Sequence, residues 1–305
     1  MSEDYRKYLD PEVVNKISPL DLKARLVVEG FISGLHQSPY HGFSIEFAEY
    51  REYVPGDDVR HIDWKVFGKT DRHYIKQYEE ETNLVCHVLL DLSESMSYGS
   101  GSVTKRDYAS TIAAALIYLI VQQQDAVGLG LFHREVKSFH PAGSSLGHMR
   151  KLVKEIAEAQ PGEKTDIAAV LQDLTDRIRK RGLVIVISDF LDDPEKILQG
   201  IQVLRHRRHD VIVMHVLDTY EVEFPFDTMT KFEGLEGLGE RVANPRALRK
   251  AYLAELESYL EKIKTGCHAA GADYVRMTTR QKLDVALSAY LATRSSIRKA
   301  KSRRA

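Results

Sequence analysis

Residues 84–95 read LVCHVLLDLSES. Leu84–Leu90 is apolar apart from His87. A run that is apolar on both of its faces suits a central strand of a parallel sheet, because helices cover such a strand from either side. Asp91 closes the run, and Asp91-Leu92-Ser93-Glu94-Ser95 leads out of it. The same design recurs at Leu183–Ile187 (LVIVI) and Val211–Leu217, which lead into Asp189 and Asp218.

Helical patterns separate these strands at Lys105–Gln123, Leu146–Ala159, Asp166–Arg181, Pro194–Arg205, Arg246–His268 and Arg280–Ala292. Ala126–Phe132 and Ala272–Met277 read as further strands. Glu135–Phe139 alternates polar and apolar residues, which predicts an antiparallel edge strand. Strands that alternate with helices predict a doubly wound, Rossmann-like α/β domain over residues 84–292, with a mostly parallel six-stranded sheet and Leu84–Leu90 near its centre. Residues 1–83 are expected to add one helix (Leu20–Ile32) and a turn-rich, irregular satellite segment. Residues 218–244 are expected as a small β insertion packing with that satellite. The basic stretch 293–305 lacks apolar periodicity and is expected to be disordered.

Bulk properties exclude several classes. Lys plus Arg (43) nearly cancels Asp plus Glu (44), so no global charge points to nucleic acid. The start MSEDYRKYLD has no apolar stretch behind it, and no signal peptide is expected. The apolar run Ile112–Val121 is about half the ~20 residues that span a bilayer. Cys86 and Cys267 sit in apolar patterns and read as reduced core thiols of a cytoplasmic protein.

Ligands of open parallel sheets bind outside the carboxyl ends of the strands. Asp91, Ser93 and Ser95 lie just past one such end, and Asp189 just past another. Thr165, directly before a predicted helix, offers a third hydroxyl. Carboxylates and hydroxyls are hard oxygen donors, suited to magnesium or manganese rather than zinc. Taken singly, these residues also suit turns and helix caps. Their joint placement after the right strands favours an ion site built from Asp91, Ser93, Ser95, Thr165 and Asp189.

DLSESM after an apolar strand, followed by Thr165-Asp166 and then Asp189, resembles the metal-ion-dependent adhesion site (MIDAS) of von Willebrand factor A domains. The resemblance implies that Ser93, Ser95 and Thr165 touch the ion, that Asp91 and Asp189 act largely through water, and that a partner's acid completes the shell. Glu163-Lys164 stands where that family often has a glycine pair. A second block, Arg51-Glu52-Tyr53-x-Pro55-Gly56-Asp57-Asp58-x-Arg60-x-Ile62-Asp63-Trp64, resembles the domain of unknown function 58 family of bacteria and archaea. That resemblance implies a non-enzymatic adaptor or co-chaperone for a MoxR-type AAA+ ATPase that remodels or matures a client protein. Read physically, Pro55-Gly56 suits a type II turn, Asp57 or Asp58 a helix cap, and Trp64 an anchor. Arg51, Asp57, Asp58, Arg60, Asp63 and Trp64 are therefore candidates for partner binding, or else for docking the satellite through ion pairs.

Other motifs compete. Gly143-Ser144-Ser145-Leu146-Gly147 fits Gly-x-Ser-x-Gly and defines the alternative, a serine hydrolase with Ser145 as nucleophile, although the preceding strand reads as an edge and no oxyanion loop is visible. Gly68-Lys69-Thr70 ends like a phosphate-binding loop but has Asp63 where that motif needs glycine. The twelve histidines show no zinc-binding spacing, and His87 and His215 read as core residues.

Overall fold

A computed structural model describes residues 10–16, 19–35, 50–52, 74–76, 84–162, 167–234 and 239–302. The chain divides into two compact units, Met1–Ser33 with Asn83–Ala305, and Gly34–Thr82. In the smaller unit, strands β1 (Tyr50–Glu52) and β2 (Tyr74–Lys76) pair antiparallel, with Arg51 opposite Ile75. The candidates Asp57, Asp58, Arg60, Asp63 and Trp64, the Pro55-Gly56 turn and the Gly68-Lys69-Thr70 stretch lie outside the described residues, as does the side chain of Arg51.

The larger unit is built on a six-stranded sheet. Its strands are β3 (Val85–Asp91), β4 (Ala126–Phe132), β5 (Val136–Gly143), β6 (Leu183–Ser188), β7 (Asp210–Leu217) and β10 (Asp273–Thr278), in the spatial order β10-β7-β6-β3-β4-β5. All neighbours are parallel except β4 and β5, which pair antiparallel, so the alternating strand is the edge expected. β6 is buried at every position, and β3 and β7 at every position after the first. Helices lie on both faces. Lys105–Gln122 covers one, with Leu146–Glu158 and Asp284–Ser302 against it. Ile167–Arg177, Pro194–His206 and Pro245–Ala269 pack a second core on the other, where Leu89, Val184, Val186, Val213, Leu171 and Ile201 are all buried.

This connectivity creates the position of the site. From β3 the chain moves outward to β4 and β5, then returns to place β6 on the opposite side of β3. The strand order reverses between β3 and β6, and a crevice opens at the carboxyl ends of two strands whose connections leave in opposite directions.

Two boundaries differ from expectation. The N-terminal segment groups with the α/β unit as far as Ser33, because the helix Leu20–Leu35 buries Ala24, Val27, Val28 and Phe31. Ahead of it a short helix, Pro11–Asn15, is capped by Asp10, and Asn15 Nδ2 donates to Ser102 O at 2.6 Å. The tail expected to be disordered instead continues the last helix, which runs Asp284–Ser302. Propagating an existing helix through Lys, Arg and Ala costs little once its first turns are anchored. Arg294 supplies an anchor, its Nε donating to buried Asp125 at 2.6 Å. Residues 218–244 fall in the larger unit as a helix, Thr219–Glu223, and a hairpin of β8 (Thr230–Gly234) and β9 (Gly239–Ala243). Both cysteines are free and buried.

Candidate metal centre

The Asp-x-Ser-x-Ser loop leaves β3 in a nearly extended path, so alternate side chains point the same way. Leu92 is buried away from the cleft, and its backbone N–H and C=O are held by Phe132 O and Gly162 N at 2.7 and 2.9 Å. Asp91, Ser93 and Ser95 consequently share one side and line one open cleft. A 3-10 turn, Glu94–Ser97, then folds Ser95 back, and Ser93 Oγ and Ser95 Oγ stand 3.1 Å apart.

The end of β6 and the loop after it supply the opposite wall: Ser188, then Asp189, Phe190, Leu191 and Asp192. Phe190 holds a left-handed backbone (φ 49°), which is costly for a non-glycine residue and needs enforcement by its surroundings. Tyr259 helps to provide it, its one hydroxyl proton shared between Phe190 O and, at 3.0 Å, Asp192 O. Ser188 joins the two walls. Its hydroxyl donates to Asp91 Oδ2 at 2.6 Å and accepts from Phe190 N at 2.9 Å. Asp91 Oδ1 accepts from Ser93 N at 2.8 Å.

The cleft concentrates negative charge. Burial, and then the neighbouring Asp189 carboxylate, push the Asp91 carboxyl up to about 6, against the hydrogen bonds from Ser188 and Ser93. Asp189 is compensated from behind by a residue that sequence reading passed over. Lys105, fully buried at the start of its helix, donates to Asp189 Oδ2 at 2.8 Å and to Glu221 Oε1 at 2.7 Å. Burial would lower the Lys105 ammonium's pKa, but Asp189 and Glu221 outweigh it and hold the group above the ordinary lysine range.

These residues fit a small hard cation. In an octahedral shell with metal–oxygen distances of about 2.1 Å, neighbouring ligand oxygens stand about 3 Å apart, close to the separation of the two serine oxygens. The buried carboxylate pair supplies the opposite charge. Among the described residues no cluster of three or more His, Cys, Asp or Glu is placed to hold a metal, so a site here depends on hydroxyls. Thr165 lies outside the described residues.

Other candidates have ordinary places. Ser145 caps the helix Leu146–Glu158 and accepts from His148 N at 3.1 Å, with an extended backbone rather than the strained turn of a nucleophile elbow. The His148 ring contacts Val127 O instead of that hydroxyl. His215 bonds Tyr274 through Nδ1 at 2.9 Å, and His87 stacks on Phe139. Asp218, the third aspartate at a strand end, caps Thr219–Glu223 and accepts from Ser100 N and Thr279 Oγ1.

The sheet order, the helices on both faces and the Asp-x-Ser-x-Ser loop at the reversal point define a doubly wound, mostly parallel α/β domain, the fold that the resemblance to von Willebrand factor A domains implies. The chain belongs to the family described as Protein of unknown function DUF58, whose model matches residues 49–259. It is 30% identical over 219 residues to an uncharacterized protein of Mycobacterium tuberculosis, covering 71% of this chain and 68% of the relative. Among solved structures it is similar to the conserved hypothetical protein BatB from Bacteroides thetaiotaomicron, with a TM-score of 0.51 at 15% identity over 70% of this chain and 99% of BatB. The SpRpn10 VWA domain aligns with a TM-score of 0.43 at 10% identity, over 68% of this chain and 94% of that domain. No helix among the described residues is long and apolar enough to cross a membrane.

Proposed function

We propose that this chain is a protein-interaction module whose cleft takes a magnesium ion, or manganese in its place, and through it docks an acidic side chain of a protein partner. The observation that carries the reading is the convergence of Asp91, Ser93, Ser95 and Asp189 on one cleft at the point where the strand order reverses. Ser93 and Ser95 would hold the ion directly, with Thr165 as a third hydroxyl, while Asp91 and Asp189 supply charge. A divalent ion held mainly by neutral hydroxyls keeps exchangeable positions and residual positive charge for a carboxylate from outside. Beside the cleft Leu191 is 47% exposed, an apolar contact for the segment that carries the acid.

The partner favoured by the family resemblance is a MoxR-type AAA+ ATPase, with this chain as a cytoplasmic adaptor or co-chaperone in the remodelling or maturation of a client protein. The family match spans the Arg51–Trp64 block, for which a partner-binding role is part of the same reading. The capping role of Ser145 favours interaction over hydrolysis.

The test is calorimetry of the chain against a purified MoxR-type ATPase from the same genome, in magnesium and in chelator. Binding that needs magnesium and is lost in Asp91→Ala, with melting temperature preserved, supports the reading. Equal binding in chelator, or in Asp91→Ala, means the cleft is not the docking point.

A further inference from the structure

Lys105 occupies a position that local rules disfavour. It is the first residue of the helix Lys105–Gln122, where the helix dipole repels a cation and an acid is preferred, as at Asp107 in the same turn. It is also fully buried, which a lysine tolerates only when its charge is paired. Overrides of this kind gather where a site requires a particular charge.

The two carboxylates that share the ammonium serve different places. Asp189 lines the cleft with Asp91, Ser93 and Ser95. Glu221 is not among the lining residues, and its Oε2 accepts from Asp218 N at 2.6 Å, closing the capping box of Thr219–Glu223. Lys105 therefore stands behind Asp189, between the cleft and the structure that follows β7. Asp91 and Asp189 alone would balance a divalent cation in full, and Asp192 lines the same cleft. The ammonium on Asp189 Oδ2 cancels part of that negative charge and occupies one carboxylate oxygen.

We propose that Lys105 is a positioning residue that sets the charge of the cleft, fixing Asp189 from behind and weakening the chain's own hold on a divalent cation, so that firm binding requires an acidic side chain from a partner. This rests on the cation reading of the cleft. Lys105 makes the site conditional: the cation and the acidic partner each bind better in the other's presence, as linkage between two ligands demands. Glu221 tempers the effect by drawing on the same ammonium. Removing the lysine and neutralising the glutamate should therefore act in opposite directions, which a merely structural prop would not do.

The experiment titrates the full chain calorimetrically with Mn2+ alone, as wild type, Lys105→Met, Glu221→Gln and Asp91→Ala, with metal-free melting temperatures recorded in parallel. Lys105→Met is expected to bind Mn2+ at least about tenfold more tightly than wild type, since a like charge near the ion is gone. Glu221→Gln is expected to bind severalfold more weakly, and Asp91→Ala not measurably. Unchanged or looser binding in folded Lys105→Met, with wild-type binding still dependent on Asp91, overturns the proposal and leaves the cation reading standing. If Lys105→Met does not fold, Glu221→Gln decides: weaker binding supports the proposal, and unchanged or tighter binding overturns it. No Mn2+ bound by wild type and Lys105→Met alike, or binding indifferent to Asp91→Ala, overturns the cation reading and the proposal with it.

Discussion

Ser188 Oγ donates a 2.6 Å hydrogen bond to Asp91 Oδ2, tying the carboxyl end of β6 to that of β3 across the point where the strand order reverses. The same hydroxyl accepts from Phe190 N and so fixes the loop that carries Asp189. One small side chain thus bonds to both walls of the cleft.

Replacing Ser188 with alanine should therefore damage the site without removing any candidate ligand. A buried carboxylate that loses one of its donors costs about 1–3 kcal/mol. Urea denaturation of Ser188→Ala is expected to show a loss of that order, with weaker Mn2+ binding. A variant as stable as wild type would mean that solvent or a neighbour satisfies Asp91 equally well.

Arg294 makes the final helix part of the fold. Its guanidinium faces Asp125, which also accepts from Leu84 N at 3.0 Å at the start of β3. Arg294→Met leaves a buried acid without its cation, and the partly exposed pair should cost about 1–3 kcal/mol. Thermal melting of Arg294→Met, and of a chain ending at residue 293, should show comparable losses. Unchanged melting in both would make the tail dispensable.

Acid should destabilise the protein through its buried histidines. Burial, the largest cause for both, lowers His87 and His215 to about 4, with His209 a further cause for His87. The folded state then binds fewer protons than the unfolded chain between about 4 and the ordinary value near 6.5, so stability falls as pH drops through that window, by on the order of 3 kcal/mol per histidine. Asp91 acts in the opposite sense. With its carboxyl raised to about 6, the folded state binds the extra proton, and its contribution is lost as pH rises through 6. His87 and His215, with His209 lowered in the same sense by burial, outweigh the raised carboxyls of Asp91 and Glu221, so denaturation midpoints should fall between pH 7 and pH 4.5. The double variant His87→Gln, His215→Gln should lose less over that range. An equal loss in the double variant would assign the acid sensitivity elsewhere.

Ser145→Ala should cost about 1 kcal/mol, the usual value of a helix cap. Neither wild type nor variant is expected to react with a fluorophosphonate probe. Labelling that disappears in Ser145→Ala would revive the hydrolase reading.

Much of this was legible in the sequence, for reasons the structure makes specific. Runs such as Leu183–Ile187 are apolar on both faces because helices cover both, whereas Val136–Gly143, which takes in most of the mixed polar and apolar Glu135–Phe139, lies at an edge and is fully buried at no position. Asp91, Ser93, Ser95 and Asp189 come together in one cleft because each lies at or just past the carboxyl end of such a strand. Lys105 was not legible, since a lysine at a helix start reads as solvated and its partners lie 84 and 116 residues away. Ser188 was hidden inside a strand pattern, where hydroxyls usually satisfy a backbone group. The helical tail was missed because the anchoring pair, Asp125 and Arg294, is 169 residues apart in the chain.

We read Asp91, Ser93, Ser95 and Asp189 as a divalent cation site. The most direct test of that reading is a crystal of the chain soaked in Mn2+, with anomalous diffraction recorded at the manganese edge. One strong peak is expected in the cleft, within about 2.0–2.3 Å of Ser93 Oγ and Ser95 Oγ, and none in crystals of Asp91→Ala. A cleft with no peak, or a peak only elsewhere on the chain, would contradict the reading.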